Sequence, residues 1–145
     1  YKTVGDHGIR ADIIIPQSDH TGKRPVIVHF HGGGFITGDA LFWGWFPPYL
    51  NDIAKEHNAV IVSANYRMLP EVTSNDLFDD IEDLWTWLHS STLKDLLSSL
   101  NTPTELDLER IITAGESAGG LISICLALAH PDEIRAGLAS YPPLD

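Results

Sequence analysis

The feature that most constrains this chain is an alternation beginning at residue 26, where short apolar runs trade places with stretches of helical period. Val26-Ile27-Val28-His29-Phe30 and Ala59-Val60-Ile61-Val62-Ser63-Ala64 are nearly continuous in apolar character, as suits strands covered on both faces in a parallel sheet. Residues 47–57 between them read as a helix. Leu77, Ile81, Leu84, Trp85 and Leu88 recur at three- and four-residue spacing, which predicts a helix over 76–88. A polar connection with further helix at 93–100 leads to expected strands at 110–114 and 134–141, with a helix at 118–129 between them. Such alternation is the pattern of βαβ units, so the class is α/β, a mostly parallel sheet with helices on both faces. Ahead of it, residues 9–15 read as a strand. The turn-rich Pro16-Gln17-Ser18-Asp19-His20-Thr21-Gly22 should set that strand beside 26–30, as a hairpin or neighbouring pair. No repeat or linker divides residues 1–145, which read as one domain.

Charge and composition exclude several classes of function. Nine Lys and Arg against twenty Asp and Glu leave a formal charge of −11, which repels a phosphate backbone, so nucleic acid is not an expected partner. No run approaches the roughly 18 apolar residues of a membrane span. The acidic residues Asp76, Asp79, Asp80, Glu82 and Asp83 read as the solvated face of a helix whose first turn favours negative charge, and no metal site is expected from them. Cys125, the single cysteine, sits in Leu121-Ile122-Ser123-Ile124-Cys125-Leu126 and reads as a small buried hydrophobe. No Asn-x-Ser/Thr sequon occurs, which favours an intracellular, cytoplasmic setting.

Two glycine-rich segments stand where strands end. Gly115-Glu116-Ser117-Ala118-Gly119-Gly120 reads as G-x-S-x-G, a weak pattern alone that gains weight between an apolar strand and an apolar helix, the setting of a nucleophile elbow. A sharp turn there strains the serine backbone, and the flanking glycines let strand and helix approach. Ser117 is therefore the candidate nucleophile, against the plainer reading of a Gly/Ser turn without chemistry. His31-Gly32-Gly33-Gly34-Phe35 follows the strand at 26–30 directly. Three glycines in succession lose backbone entropy on folding, so something should need the dihedrals or close approach they permit. An oxyanion hole needs both: backbone N–H groups of Gly33 and Gly34, with that of Ala118, can face the developing negative oxygen of an attacked ester. A phosphate-binding loop competes, but neither Gly-Lys-Ser/Thr nor G-x-G-x-x-G is present. His31 and Gly32 read as support for the loop, the imidazole bonding to backbone rather than serving as a base. The aromatic stretch Phe35, Phe42, Trp43, Trp45, Phe46 and Tyr49 either walls an apolar pocket beside the hole or packs helix on sheet.

Taken in order, His31-Gly32-Gly33-Gly34-Phe35, Asn65-Tyr66-Arg67-Met68-Leu69-Pro70-Glu71 and Gly115-Glu116-Ser117-Ala118-Gly119-Gly120 resemble the hormone-sensitive-lipase-like branch of the α/β-hydrolase family, from about residue 10 to residue 145. The resemblance implies a carboxylesterase or lipase that needs no cofactor, acts on short- to medium-chain acyl esters, and uses a Ser-Asp-His triad. It makes Ser117 the nucleophile, Gly33, Gly34 and Ala118 the oxyanion donors, and residues 66–71 a structural loop with Arg67 held by acidic neighbours.

The triad is where the chain runs short. Acid and base should follow Ser117 in that order, yet His130 is the sole histidine after it, at the far end of the expected helix and roughly 20 Å away. His29 lies inside a strand, His57 and His89 near helix ends, and His7 and His20 in amino-terminal loops. Asp145, after the last strand, is a minor candidate for the acid. A strand at 134–141 would also be an uncovered edge, which soluble proteins avoid. The expectation is a single incomplete hydrolase domain that lacks its carboxyl-terminal strands, with an upstream segment also absent because the chain begins without Met. The remaining carboxyl-terminal part of the same protein is then the expected partner, besides a small-molecule ester. A non-catalytic ligand receptor on the same scaffold and an amide or formamide hydrolase are the alternatives.

Overall fold

The computed structural model describes residues 1–144. A short hairpin, β1 (Lys2–Val4) and β2 (His7–Ile9), opens the chain. Next come β3 (Ala11–Ile14), β4 (Arg24–Phe30), α1 (Pro48–His57), β5 (Val60–Ala64), α2 (Ser74–Leu88), α3 (Ser91–Ser98), β6 (Leu106–Glu116), α4 (Ala118–Ala129) and β7 (Ile134–Ser140). The main sheet runs in the order β3-β5-β4-β6-β7, with β3 antiparallel to β5 and every other pair parallel.

Alternation along the central strands divides the core between two faces. Val26, Val28 and Phe30 join Val60, Val62 and Ala64 under α2, α3 and α4, whereas Ile27, Ile61 and Ala114 pack with Leu50 and Ala54 of α1 on the other side. The helices therefore cover both faces, as the α/β pattern requires. Thr73 caps α2 in a reciprocal box with Asp76, and Ser90 caps α3.

Two expectations about the amino-terminal part fail. The strand at 9–15 is not the neighbour of 26–30: β3 pairs with β5, and β4 has β5 on one side and β6 on the other. A strand as apolar as β4 gains most from a central position, while β3, only partly buried along its length, suits an edge. Ile9 belongs to β2, so His7 opens a strand rather than lying in a loop. Two burial expectations also change. Asp80 is fully buried within the acidic helix instead of solvated, and Cys125 is half-buried.

The connections place a crevice. From β4 the chain moves to β5 on one side, then crosses to β6 on the other, so the carboxyl end of β4 is the topological switch point where open α/β sheets bind ligands. Register sets Phe30 of β4 beside Gly115 of β6, which brings both glycine segments to that crevice. On the sheet's outer side β7 pairs with β6 alone among the described residues.

Candidate active site

Ser117 stands between the last residue of β6 and the first of α4, with φ 52° and ψ −121°. A non-glycine residue held there is strained and persists only where its surroundings over-determine it. Three contacts do so. The Ser117 N–H donates to the Ser140 carbonyl at the end of β7, at 2.9 Å, and the Ser117 carbonyl accepts from Gly120 and Leu121. A Cβ on Gly115 would overlap the Gly119 backbone, and one on Gly119 would overlap the carbonyls of Phe30 and His31. Both glycines are therefore required by close approach, one between strand and helix, the other between helix and β4.

The glycine loop faces this turn. Gly33 and Gly34 have φ 114° and 62°, and Phe35 also has positive φ, 63°. The Gly33 carbonyl accepts from Ile36 and Thr37, which closes a tight turn with the N–H groups of Gly33 and Gly34 left over. Neither of those N–H groups, nor that of Ala118, meets an acceptor among the described residues. Unpaired backbone donors are uncommon, and these belong to the residues expected to stabilise an oxyanion. Gly32 lies against the turn at Ser117, where an added Cβ would come within 3.0 Å of the Glu116 carbonyl.

His31 bonds to the loop, and no hydrogen bond joins its ring to Ser117 among the described residues. Its Nδ1 lies 2.6 Å from the Gly32 carbonyl, the ring stacks on Tyr66 at 4.5 Å, and the Tyr66 hydroxyl donates to the His31 carbonyl at 2.7 Å. Burial pushes the His31 pKa down, only partly offset by the bond to Gly32, which keeps the ring neutral with its proton on Nδ1. Gly38, at φ 128°, leaves room for that ring, since a Cβ there would strike it. Tyr66 belongs to the third motif, and Arg67 beside it is gripped by Asp80: Nη2 and Nε reach Oδ1 at 2.8 and 3.0 Å, and Nε reaches Oδ2 at 2.9 Å.

Ser117, the glycines and His31 surround a cavity of about 300 Å³, with Phe42, Trp45, Phe46 and Tyr141 on its apolar walls. The aromatic stretch thus divides between its two readings. Phe42 and Trp45 wall the cavity, Phe35 packs into the core, and Phe46 does both. Among the lining residues not foreseen as part of the site, His29 and Glu116 form a pair. His29 Nε2 lies 3.1 Å from Glu116 Oε2, and both side chains border the cavity. The available signal was a polar residue near the carboxyl end of each of two buried strands.

The remaining histidines stay apart from the cavity. His130 caps the carboxyl end of α4 and sits 2.9 Å from Glu82, at the opposite end of the helix from Ser117. His57 ends α1, His89 follows α2, and His7 and His20 are exposed. Asp145 lies outside the described residues. No helix among the described residues is long and apolar enough to cross a membrane.

The family model described as alpha/beta hydrolase fold matches residues 27–145. Among curated proteins, the probable carboxylesterase M8 of a Phoma species is 40% identical over 148 residues, covering 99% of this chain and 46% of that protein. A probable carboxylesterase of Cochliobolus lunatus is 44% identical over 88 residues, 60% of this chain and 40% of its own length. A hyperthermophilic esterase from Pyrobaculum calidifontis superposes with a TM-score of 0.72 at 28% identity, covering 94% of this chain and 40% of its own. The chain thus spans about half the length, or less, of the relatives it matches.

Proposed function

The chain belongs to the alpha/beta hydrolase fold family, and from that premise we propose that the protein is a carboxylic-ester hydrolase with Ser117 as its nucleophile. The observation that carries the reading is the strained serine at φ 52°, set beside a glycine loop on one cavity. In the proposed reaction Ser117 Oγ attacks the acyl carbonyl carbon, and its proton passes through a general base to the departing alcohol. The N–H groups of Gly33, Gly34 and Ala118 stabilise the oxyanion of the tetrahedral intermediate, each worth about 3 kcal/mol. Water then attacks the acyl-serine, with the same base taking its proton, and releases the acid. Resemblance to carboxylesterases over nearly the whole chain supports an ester as substrate. The modest cavity and its aromatic walls support acyl groups of short to medium length.

The base and the carboxylate that orients it are proposed to come from parts of the protein outside this chain. Two imidazoles border the cavity, but His31 bonds to Gly32 while its Nε2 is buried, and His29 is held between Ser63 and Glu116. Both His29 nitrogens are engaged, and no hydrogen bond joins the unpartnered His31 Nε2 to Ser117 among the described residues. The test is covalent labelling of the full-length protein by a fluorophosphonate. Stoichiometric labelling that disappears in Ser117→Ala is expected, and equal labelling of the two would remove Ser117 as nucleophile.

A further inference from the structure

The reaction above gives no part to Glu116, a carboxylate on the cavity next to the serine. Glu116, the residue immediately before Ser117, has a side chain only 11% exposed. Its Oε1 accepts from the Tyr49 hydroxyl at 3.2 Å, and its Oε2 lies 3.1 Å from His29 Nε2. Behind His29, Nδ1 is 2.7 Å from Ser63 Oγ, which in turn is 2.7 Å from the Ala40 carbonyl.

The positions of the protons follow from the end of this network that permits one answer. A carbonyl only accepts, so the single Ser63 hydroxyl proton points at Ala40. Ser63 Oγ therefore accepts from His29, and His29 Nδ1 carries a hydrogen. At the other end Tyr49 donates to Glu116. The contact between His29 Nε2 and Glu116 Oε2 then takes one proton, since none would oppose two lone pairs and two would oppose two hydrogens. Whichever atom holds it, the pair has no net charge.

We infer that Glu116 is a positioning residue for Ser117, sharing one proton with His29 to hold the nucleophile turn against the strand that carries the glycine loop. This rests on the reading of Ser117 as nucleophile. The network joins four elements and a connection around the site: Glu116 ends β6, His29 is on β4 two residues before His31, Tyr49 is on α1, Ser63 on β5, and Ala40 in the connection behind the glycine loop. A serine at φ 52° relaxes if its neighbours let go, and a shift of an ångström relative to the oxyanion donors is enough to cost about 100-fold in rate.

Full-length Glu116→Ala and Glu116→Gln proteins, with folding checked by circular dichroism and thermal melting, separate positioning from charge. Glu116→Ala leaves His29 Nε2 without its partner and removes the carboxylate that accepts from Tyr49, and its fluorophosphonate labelling rate and kcat on p-nitrophenyl acetate should fall about 10- to 100-fold with KM nearly constant. Glu116→Gln can still bond to both and should retain labelling within about threefold. Independently, ¹⁵N spectra of the wild-type histidines should show His29 protonated on Nδ1, a readout that survives if Glu116→Ala does not fold. A folded Glu116→Gln as slow as Glu116→Ala, a Glu116→Ala as fast as wild type, or a neutral His29 carrying its proton on Nε2 would overturn the inference. If the wild type itself labels no better than Ser117→Ala, the nucleophile assignment fails instead, and the ¹⁵N result still reports on the network.

Discussion

The replacement Asp80→Asn offers the sharpest test of how the site is supported. Asp80 is fully buried in α2, and its two oxygens accept from the Arg67 guanidinium and the Arg67 backbone N–H, with Lys2 Nζ 2.7 Å from Oδ1. Burial pushes this carboxyl up, but the bonds from Arg67 and Lys2 outweigh it and hold its pKa below the ordinary carboxylate range. Asparagine keeps the volume, removes the anion, and turns an N–H group toward a cation. Breaking one side of a buried ion pair costs about 3–5 kcal/mol, and because the Arg67 and Lys2 side chains are 16% and 17% exposed, water moderates the loss to about 3 kcal/mol. A group with a depressed folded pKa contributes stability that is present above its unfolded value, near 4, and is lost as pH falls through the folded value. The difference in urea unfolding free energy between wild type and Asp80→Asn should therefore be full at pH 7 and shrink as the wild-type carboxylate protonates. A loss under about 1 kcal/mol at pH 7, or one that does not shrink in acid, would refute the reasoning. Arg67 follows Tyr66, which holds the His31 carbonyl, so labelling of Ser117 in Asp80→Asn should slow as well.

Three further outcomes are expected. Gly33→Ala puts a Cβ into the Thr37 carbonyl at φ 114°, so the loop must re-form, and kcat should fall about 100- to 1000-fold with the protein still folded; activity within threefold of wild type would remove the loop as oxyanion hole. Trp45→Ala, at a cavity-wall residue 57% exposed, should change stability by no more than about 0.5 kcal/mol while raising KM for apolar acyl esters, and an unchanged KM across an acyl series would take Trp45 out of substrate contact. Burial lowers the His31 pKa, so the stability the neutral ring contributes is present above about 6.5 and is lost as pH falls through the folded value. The unfolding difference between wild type and His31→Gln should accordingly narrow from pH 7 toward pH 5, and a constant difference would show that the ring's charge state is immaterial.

What was legible in the sequence was what depends on local period and local chemistry. The helix expected at 118–129 is α4 to the residue, because an apolar stretch that begins at a glycine-flanked turn and ends at a histidine cap has few alternatives. The two glycine segments could be placed at one crevice because each ends a strand. Pairing was less legible: nothing in the period of residues 9–15 says which strand lies alongside, and the turn-rich segment after it suggested the wrong neighbour. The burial of Asp80 was legible in principle. It stands three residues after Leu77 and four before Leu84, on the apolar stripe of α2, so the helical period places it inward where composition alone had grouped it with solvated acids. The contact between His29 and Glu116 depends on the register of β4 with β6 across many residues of chain, and register is not carried by either strand alone.

The strain at Ser117 also shows what β7, paired with β6 alone among the described residues, contributes to the site. The serine N–H is held by the Ser140 carbonyl, so the last residue of β7 fixes the turn that the last residue of β6 begins. Farther along α4, the Ser123 hydroxyl lies 2.9 Å from Thr113 Oγ1 on β6 and 3.2 Å from the Leu138 carbonyl on β7, while the Thr113 hydroxyl donates to the Ser123 carbonyl. These buried polar groups sew the helix to both strands at one level, and Gly137 leaves space for them, since a Cβ there would crowd Thr113 Oγ1 at 3.3 Å. A strained serine at the tip of a helix free to slide would relax by moving the helix. Here the helix is tied to β6 and β7 below and pressed against the carbonyls of β4 at Gly119, so the strain stays at Ser117, where it holds the hydroxyl at the cavity instead of dissipating through α4.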